Sequence, residues 1–169
     1  MSISMYQAFV PGAVRALENL IEILNKVAAH AEARSIDPAV FISARLAPDM
    51  FPLSRQVQIA SDTVKGGAAR LSGEEPPKYD DFETTFPELV ARLRKTIDYL
   101  KTFKPEQIDG SEARPVVIKT RTSELNFNGQ SYLTSFVLPN LYFHVTTAYA
   151  IARHNGVELG KKDFLGKAG

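Results

Sequence analysis

Cysteine is absent from the 169 residues, which excludes disulfides, thiolate metal ligands and a cysteine nucleophile. A surplus of either charge is missing too: 20 Lys and Arg stand against 19 Asp and Glu. That balance leaves no global field to draw the chain to nucleic acid or to an anionic membrane. No apolar run approaches the roughly 20 residues that span a bilayer. The start, MSISMYQAF, lacks the basic stretch and long apolar stretch of a secretory signal. The expectation is a cytoplasmic protein with neither a nucleic-acid nor a membrane partner. Histidine is scarce, with three in all, which caps any histidine-based metal site. The signatures of P-loops, Rossmann turns, nucleophile elbows, zincins and EF-hands are missing as well. What remains is 44% hydrophobic and 23% charged, an ordinary globular composition with enough chain to bury a sizeable core. A single domain over residues 1–169 is the natural reading of that length. Composition by itself names no activity.

Apolar periodicity marks four amphipathic helices. The first spans about Ser4–Glu32, with Val14, Leu17, Leu20, Ile21, Leu24, Val27 and Ala28 on one stripe and Pro11 either near its start or at a kink. Asp37-Pro38 reads as a cap followed by short turns, and Ala47–Pro52 as an apolar, proline-rich connector. The second helix spans about Pro52–Leu71. Its stripe is Leu53, Val57, Ala60, Val64, Ala68 and Leu71, with Arg55, Gln58, Asp62 and Lys65 on a polar side. Gly66-Gly67 inside it points to close approach of a neighbouring helix. The third spans about Thr85–Phe103, with Arg92, Arg94, Lys95 and Lys101 expected to face water. Pro115–Thr122 and Glu124–Phe127 alternate and predict a small β-hairpin or extended excursion, with Asn128-Gly129 as a turn dipeptide. The fourth helix spans about Gln130–Asn155, with a kink or irregular turn at Pro139 and a stop at Asn155-Gly156. In the tail, Phe164-Leu165 is an expected docking anchor. The fold class is therefore all-α: a four-helix bundle with at least one crossover connection and a hairpin between helices three and four.

Candidate chemistry gathers on the fourth helix. Asn140 and His144 stand four residues apart and so share a face. That face is the apolar one, between Val137, Leu141 and Ala148. A histidine there serves either as a metal ligand or acid/base group, or as a buried side chain satisfied by Asn140 or by another helix. Gln56, on the border of the second helix's stripe, is the third candidate member, and Gln58 a weaker one. His30 and His154 fall near helix ends, where the macrodipole and unpaired carbonyls account for them. Tyr132, Tyr142, Phe143 and Tyr149 form an aromatic run that suits a core, a pocket lining or a dimer contact. Arg114, Lys119 and Arg121 make a basic patch that reads as a solvated strand edge.

Three stretches carry a resemblance. They are Leu138–Tyr149 (LPNLYFHVTTAY) with Arg153–Val157 (RHNGV), Ala44–Leu53 (ARLAPDMFPL) with Gln56-Val57-Gln58, and Gly160–Leu165 (GKKDFL). Together they resemble a family of bacterial and fungal proteins of unknown function, grouped with the DinB/YfiT-like superfamily. The resemblance implies a four-helix bundle, often of up-down-down-up topology, and frequent homodimers. The wider superfamily includes metal-dependent thiol transferases and related metalloenzymes. Their metal site takes one histidine from helix two and two histidines four residues apart on helix four. The matching positions here are Gln56, Asn140 and His144, of which His144 alone keeps the ligand type.

Two readings follow. In the first, the chain is a small-molecule transferase or hydrolase that uses an interior polar site. His144 is then its acid/base group or sole strong ligand, with a divalent metal such as Zn or Ni held by the degenerate set Gln56, Asn140 and His144. In the second, it is a non-catalytic small-ligand-binding or structural dimer.

Overall fold

A computed structural model describes residues 2–119 and 123–166. Arg121, a member of the basic patch expected above, lies outside these residues, whereas Arg114 and Lys119 are exposed on the surface.

Helix α1 (Met5–Ala33) opens on a capping box, in which Ser4 and Gln7 each bond the other's backbone N–H. Such a cap contributes about 1 kcal/mol. The helix runs through Pro11, which is exposed. Asp37 caps the short α2 (Pro38–Ile42), with proline in the first turn. Helix α3 (Leu53–Ser72) ends on Gly73 in the left-handed region. Helix α4 (Phe86–Lys101) starts from a second capping box, between Thr85 and Glu88. After the short α5 (Pro105–Ile108), strands β1 (Pro115–Lys119) and β2 (Glu124–Asn128) pair antiparallel, with Val117 opposite Asn126.

Asn128-Gly129 does not close that hairpin. Asn128 instead caps the short α6 (Gly129–Tyr132), its side chain accepting from the Ser131 N–H. Gly129 is required by close approach, since a Cβ there would lie 1.9 Å from the Ser111 carbonyl oxygen. The chain then passes through a π-helical turn (Leu133–Val137) into α7 (Leu138–His154). In that turn the Leu138 N–H reaches back to the Leu133 carbonyl. The next residue, Pro139, has no N–H to give, so the irregularity sits where an α-helical ladder would break in any case. Gly156, at φ 87°, follows the end of α7. The tail folds into α8 (Lys161–Leu165) against α1. Phe164 packs edge-on against Tyr149, its carbonyl accepting from Asn19, while Leu165 stays exposed. Both residues of the expected anchor meet α1, Leu165 through its carbonyl, which accepts from Arg15 at 3.1 Å.

The four long helices form the bundle. α3 packs against α7 and α4, and α1 against α4 and α7. Helices α1 and α3 are thus diagonal across the bundle, and the α1–α3 and α4–α7 connections both cross over. The core between them takes Phe9, Leu17, Leu20 and Leu24 from α1, Leu53 and Val57 from α3, Leu89 and Leu93 from α4, and Leu141 and Ala148 from α7. Gly67 admits close approach, since a Cβ there would lie 2.8 Å from Phe9 Cζ and 2.9 Å from Val137 Cγ1. No helix among the described residues is long and apolar enough to cross a membrane.

Two expectations about polar faces are corrected by the packing. Arg92 does not face water: it is 4% exposed and held between α4, α3 and the segment before α4. Gln58 and Lys65, assigned to the polar side of the second helix, are buried too. The segment 74–85 folds over that side and supplies the partners.

Candidate functional site

Helices α3 and α7 pack side by side, which brings Gln56 and His144 together from 88 residues apart. Gln56 sits in the first turns of α3 at 2% exposure, and His144 in the middle of α7 at 8%. Gln56 Oε1 lies 2.7 Å from His144 Nδ1. The other end of the same amide donates to the Phe51 carbonyl at 2.9 Å. A carbonyl only accepts, so Phe51 assigns the NH2 end of Gln56 to itself and turns the oxygen toward the ring. Nδ1 must therefore carry the proton. In the neutral ring the lone pair is then on Nε2, and among the described residues no group hydrogen-bonds that nitrogen.

Burial lowers the His144 pKa below its ordinary value near 6.5, and the Arg55 charge lowers it further. Both effects disfavour the imidazolium. The Phe143 ring stands edge-on to the imidazole at 5.2 Å and is exposed, as is Phe51.

Asn140 does not join this pair. Its Nδ2 donates to the Phe136 carbonyl one turn back at 2.6 Å, within its own helical stretch. The partner that satisfies His144 is Gln56 on another helix. The remaining histidines stand apart. His30 packs edge-on against Phe41 at 5.7 Å in the last turn of α1, and His154 is exposed at the end of α7. Of the aromatic run, Tyr132 is core, stacked on Phe136, whereas Tyr142 and Phe143 are exposed.

A tight Zn or Ni site needs about three strong donors converging on the ion. Here Gln56 has both amide ends engaged, Asn140 has its NH2 committed to a carbonyl, and neither amide is a strong ligand for these ions. Among the described residues no group of three His, Cys, Asp or Glu is placed to hold a metal. Gln56, Asn140 and His144 therefore do not fit a divalent transition metal.

A second polar assembly, missed in the sequence, borders the first. The Arg92 guanidinium binds Glu83 at 3.0 Å, Asp62 at 2.9 Å, the Asp80 carbonyl at 3.0 Å and Ser61 at 3.3 Å. Burial acts to lower its pKa, but Glu83, Asp62 and Asp81 outweigh that and raise it. Gln58 bridges onward, donating to Glu83 at 2.9 Å and accepting from Arg55 at 3.2 Å. Arg55 in turn pairs with Asp81. The Tyr79 ring lies within 3.9 Å of Lys65 Nζ and 4.1 Å of Lys95 Nζ, which pins segment 74–85 onto both helices. The one local signal for Arg92 is its spacing, three after Leu89 and four before Thr96, on the flank of the buried stripe.

Comparison with known proteins agrees with this architecture. Residues 5–165 match the sequence model of a family described as a domain of unknown function, DUF1993. No curated protein matches. The chain is similar to a DinB family member protein from Shewanella denitrificans known from a crystal structure. The two share 43% identity at a TM-score of 0.87, over 96% of this chain and 92% of that one. With a helical bundle of that shape and a family match along nearly its whole length, the chain belongs to the DUF1993 family and is a DinB-like protein.

Proposed function

We propose that the protein acts on a small molecule at the surface end of the α3–α7 contact, with His144 Nε2 as its proton acceptor, in a transfer or hydrolysis reaction. One observation carries this reading: Gln56 is anchored on the Phe51 carbonyl and holds His144 Nδ1 at 2.7 Å. A general base needs a neutral imidazole, a fixed tautomer and an open nitrogen. Gln56 supports the second, and the lowered pKa supports the first. The exposed Phe143 ring, edge-on to the imidazole at 5.2 Å, suits a ligand with an apolar body. The reaction is not routed through a metal, because the donor set does not fit one.

A non-catalytic ligand-binding role is the second reading. It is favoured by the two weak ligands, Gln56 and Asn140, at positions where related bundles hold metal.

The test is long-range proton–nitrogen NMR of the imidazole, followed by an activity screen on activated esters and thioesters. The expected spectrum is Nδ1-protonated near neutral pH, with turnover lost in His144→Ala. An Nε2-protonated ring removes the basis of the proposal. Ligand binding without turnover, lost in the same variant, selects the second reading.

A further inference from the structure

Two arginines approach this part of the molecule, and their surroundings divide their roles. Arg92 is 2% exposed in its side chain and surrounded by three carboxylates, a carbonyl and a hydroxyl. Glu83, itself 4% exposed, is its most deeply buried counter-ion, so this pair holds the fold. Arg55 differs. Its side chain is 37% exposed, and its partners are the Gln58 amide and one carboxylate, Asp81, itself 39% exposed. An exposed pair of that kind contributes little, and a competing carboxylate displaces it readily. Asp81 would not be stranded by the exchange, because its other oxygen keeps Arg92 at 3.2 Å.

Arg55 also stands at the His144 site. It directly precedes Gln56 in the first turn of α3. Its guanidinium carbon lies 5.9 Å from the centroid of the Phe51 ring, the residue whose carbonyl orients Gln56. Its charge reaches the imidazole strongly enough to lower the His144 pKa. The cluster therefore offers a displaceable guanidinium, a neutral base with an open nitrogen, and two exposed aromatic rings.

We infer that this cluster binds a small molecule with a carboxylate group and an apolar body, the carboxylate taking the place of Asp81 on Arg55 and a proton-bearing group facing His144 Nε2. A carboxylate is named because the group it replaces on Arg55 is itself a carboxylate oxygen, that of Asp81, whose other oxygen stays on Arg92. The inference rests on the reading of His144 as the base of this site, and names the class of molecule that the site takes.

Titration of the intact protein with benzoate, benzamide and inorganic phosphate, followed by NMR of the Arg55 Nε and His144 ring signals, tests it. Benzoate should shift both sets of signals and bind at least about tenfold more tightly than its neutral isostere benzamide, the scale of a charged hydrogen-bonded contact. Arg55→Gln should remove that preference. Asp81→Asn should strengthen benzoate binding by about two- to fivefold, since it removes the internal competitor. Equal binding of benzoate and benzamide, or a preference that survives Arg55→Gln in a folded variant, overturns the inference and leaves the His144 reading standing. Tighter binding of phosphate than of benzoate overturns the carboxylate assignment. An Nε2-protonated His144 with benzoate still held by Arg55 removes the base and keeps the anion contact, so the two failures are told apart.

Discussion

Gln56 and His144 form a directed pair: the amide oxygen of one lies 2.7 Å from Nδ1 of the other, and the Phe51 carbonyl decides which way the amide points. A residue 88 positions away thus sets the tautomer of the one buried histidine among those described.

Replacing that amide by a carboxylate reverses the electrostatics around the ring. In Gln56→Glu a negative charge faces Nδ1, which favours the imidazolium and opposes the lowering by burial and Arg55. The His144 pKa should rise by about 1 unit or more, read by NMR titration of the ring protons. An unchanged pKa would show that the two groups are not in contact in solution.

The lowered pKa also fixes a pH dependence of stability. In the unfolded chain His144 takes up its proton as pH falls through about 6.5, while the folded protein resists until lower pH. The unfolded state therefore binds more protons in that window. Stability from this residue is fully present above about pH 6.5 and declines as pH falls toward the folded pKa. Urea unfolding between about pH 7 and pH 5 should show the decline, and His144→Gln should flatten it. A wild-type profile that rises on acidification contradicts the buried neutral ring.

Arg92 predicts the largest single loss. Arg92→Met strands Glu83, whose side chain is 4% exposed, with the Gln58 amide as its remaining donor. Breaking a buried pair from one side costs about 3–5 kcal/mol. Arg92→Lys should recover only part of this, because an ammonium cannot meet all these partners as a planar guanidinium does. Denaturant midpoints of the two variants give the comparison. Wild-type stability in Arg92→Met would mean that the network is solvated.

Gly67→Ala tests a close contact inside the bundle. Helix propensity favours alanine by about 1 kcal/mol, but the added methyl meets Phe9 Cζ at 2.8 Å and Val137 Cγ1 at 2.9 Å. Overpacking of that kind costs about 1–3 kcal/mol, so a net loss is expected in thermal or urea unfolding. A gain would place α3 farther from Phe9 of α1 and from Val137 of the π-helical turn than described.

The donor set predicts weak metal affinity. Calorimetric titration of the protein with Zn or Ni should give no tight stoichiometric site, whereas Gln56→His combined with Asn140→His should create one by supplying strong ligands around His144. Tight binding by the wild type, lost in His144→Ala, would mean that these residues do hold a metal.

The amino-acid sequence by itself determined the bundle. Its apolar stripes recur at helical spacing, so the four long helices, the Asp37 cap, the hairpin and the irregular turn near Pro139 all follow from local rules. The face shared by Asn140 and His144 was equally legible, being a matter of four-residue spacing on one helix. Which of the two polar groups meets Gln56 was not, because that depends on how α3 and α7 dock. The same holds for Arg92, Gln58 and Lys65. On a helical wheel they lie toward the polar side, and only the folding of segment 74–85 across α3 and α4 turns that side into an interior. Helical period records which residues leave water for a neighbouring helix. It carries no record of a charge buried by a segment arriving from elsewhere in the chain, where paired carboxylates replace water as the solvent of the guanidinium.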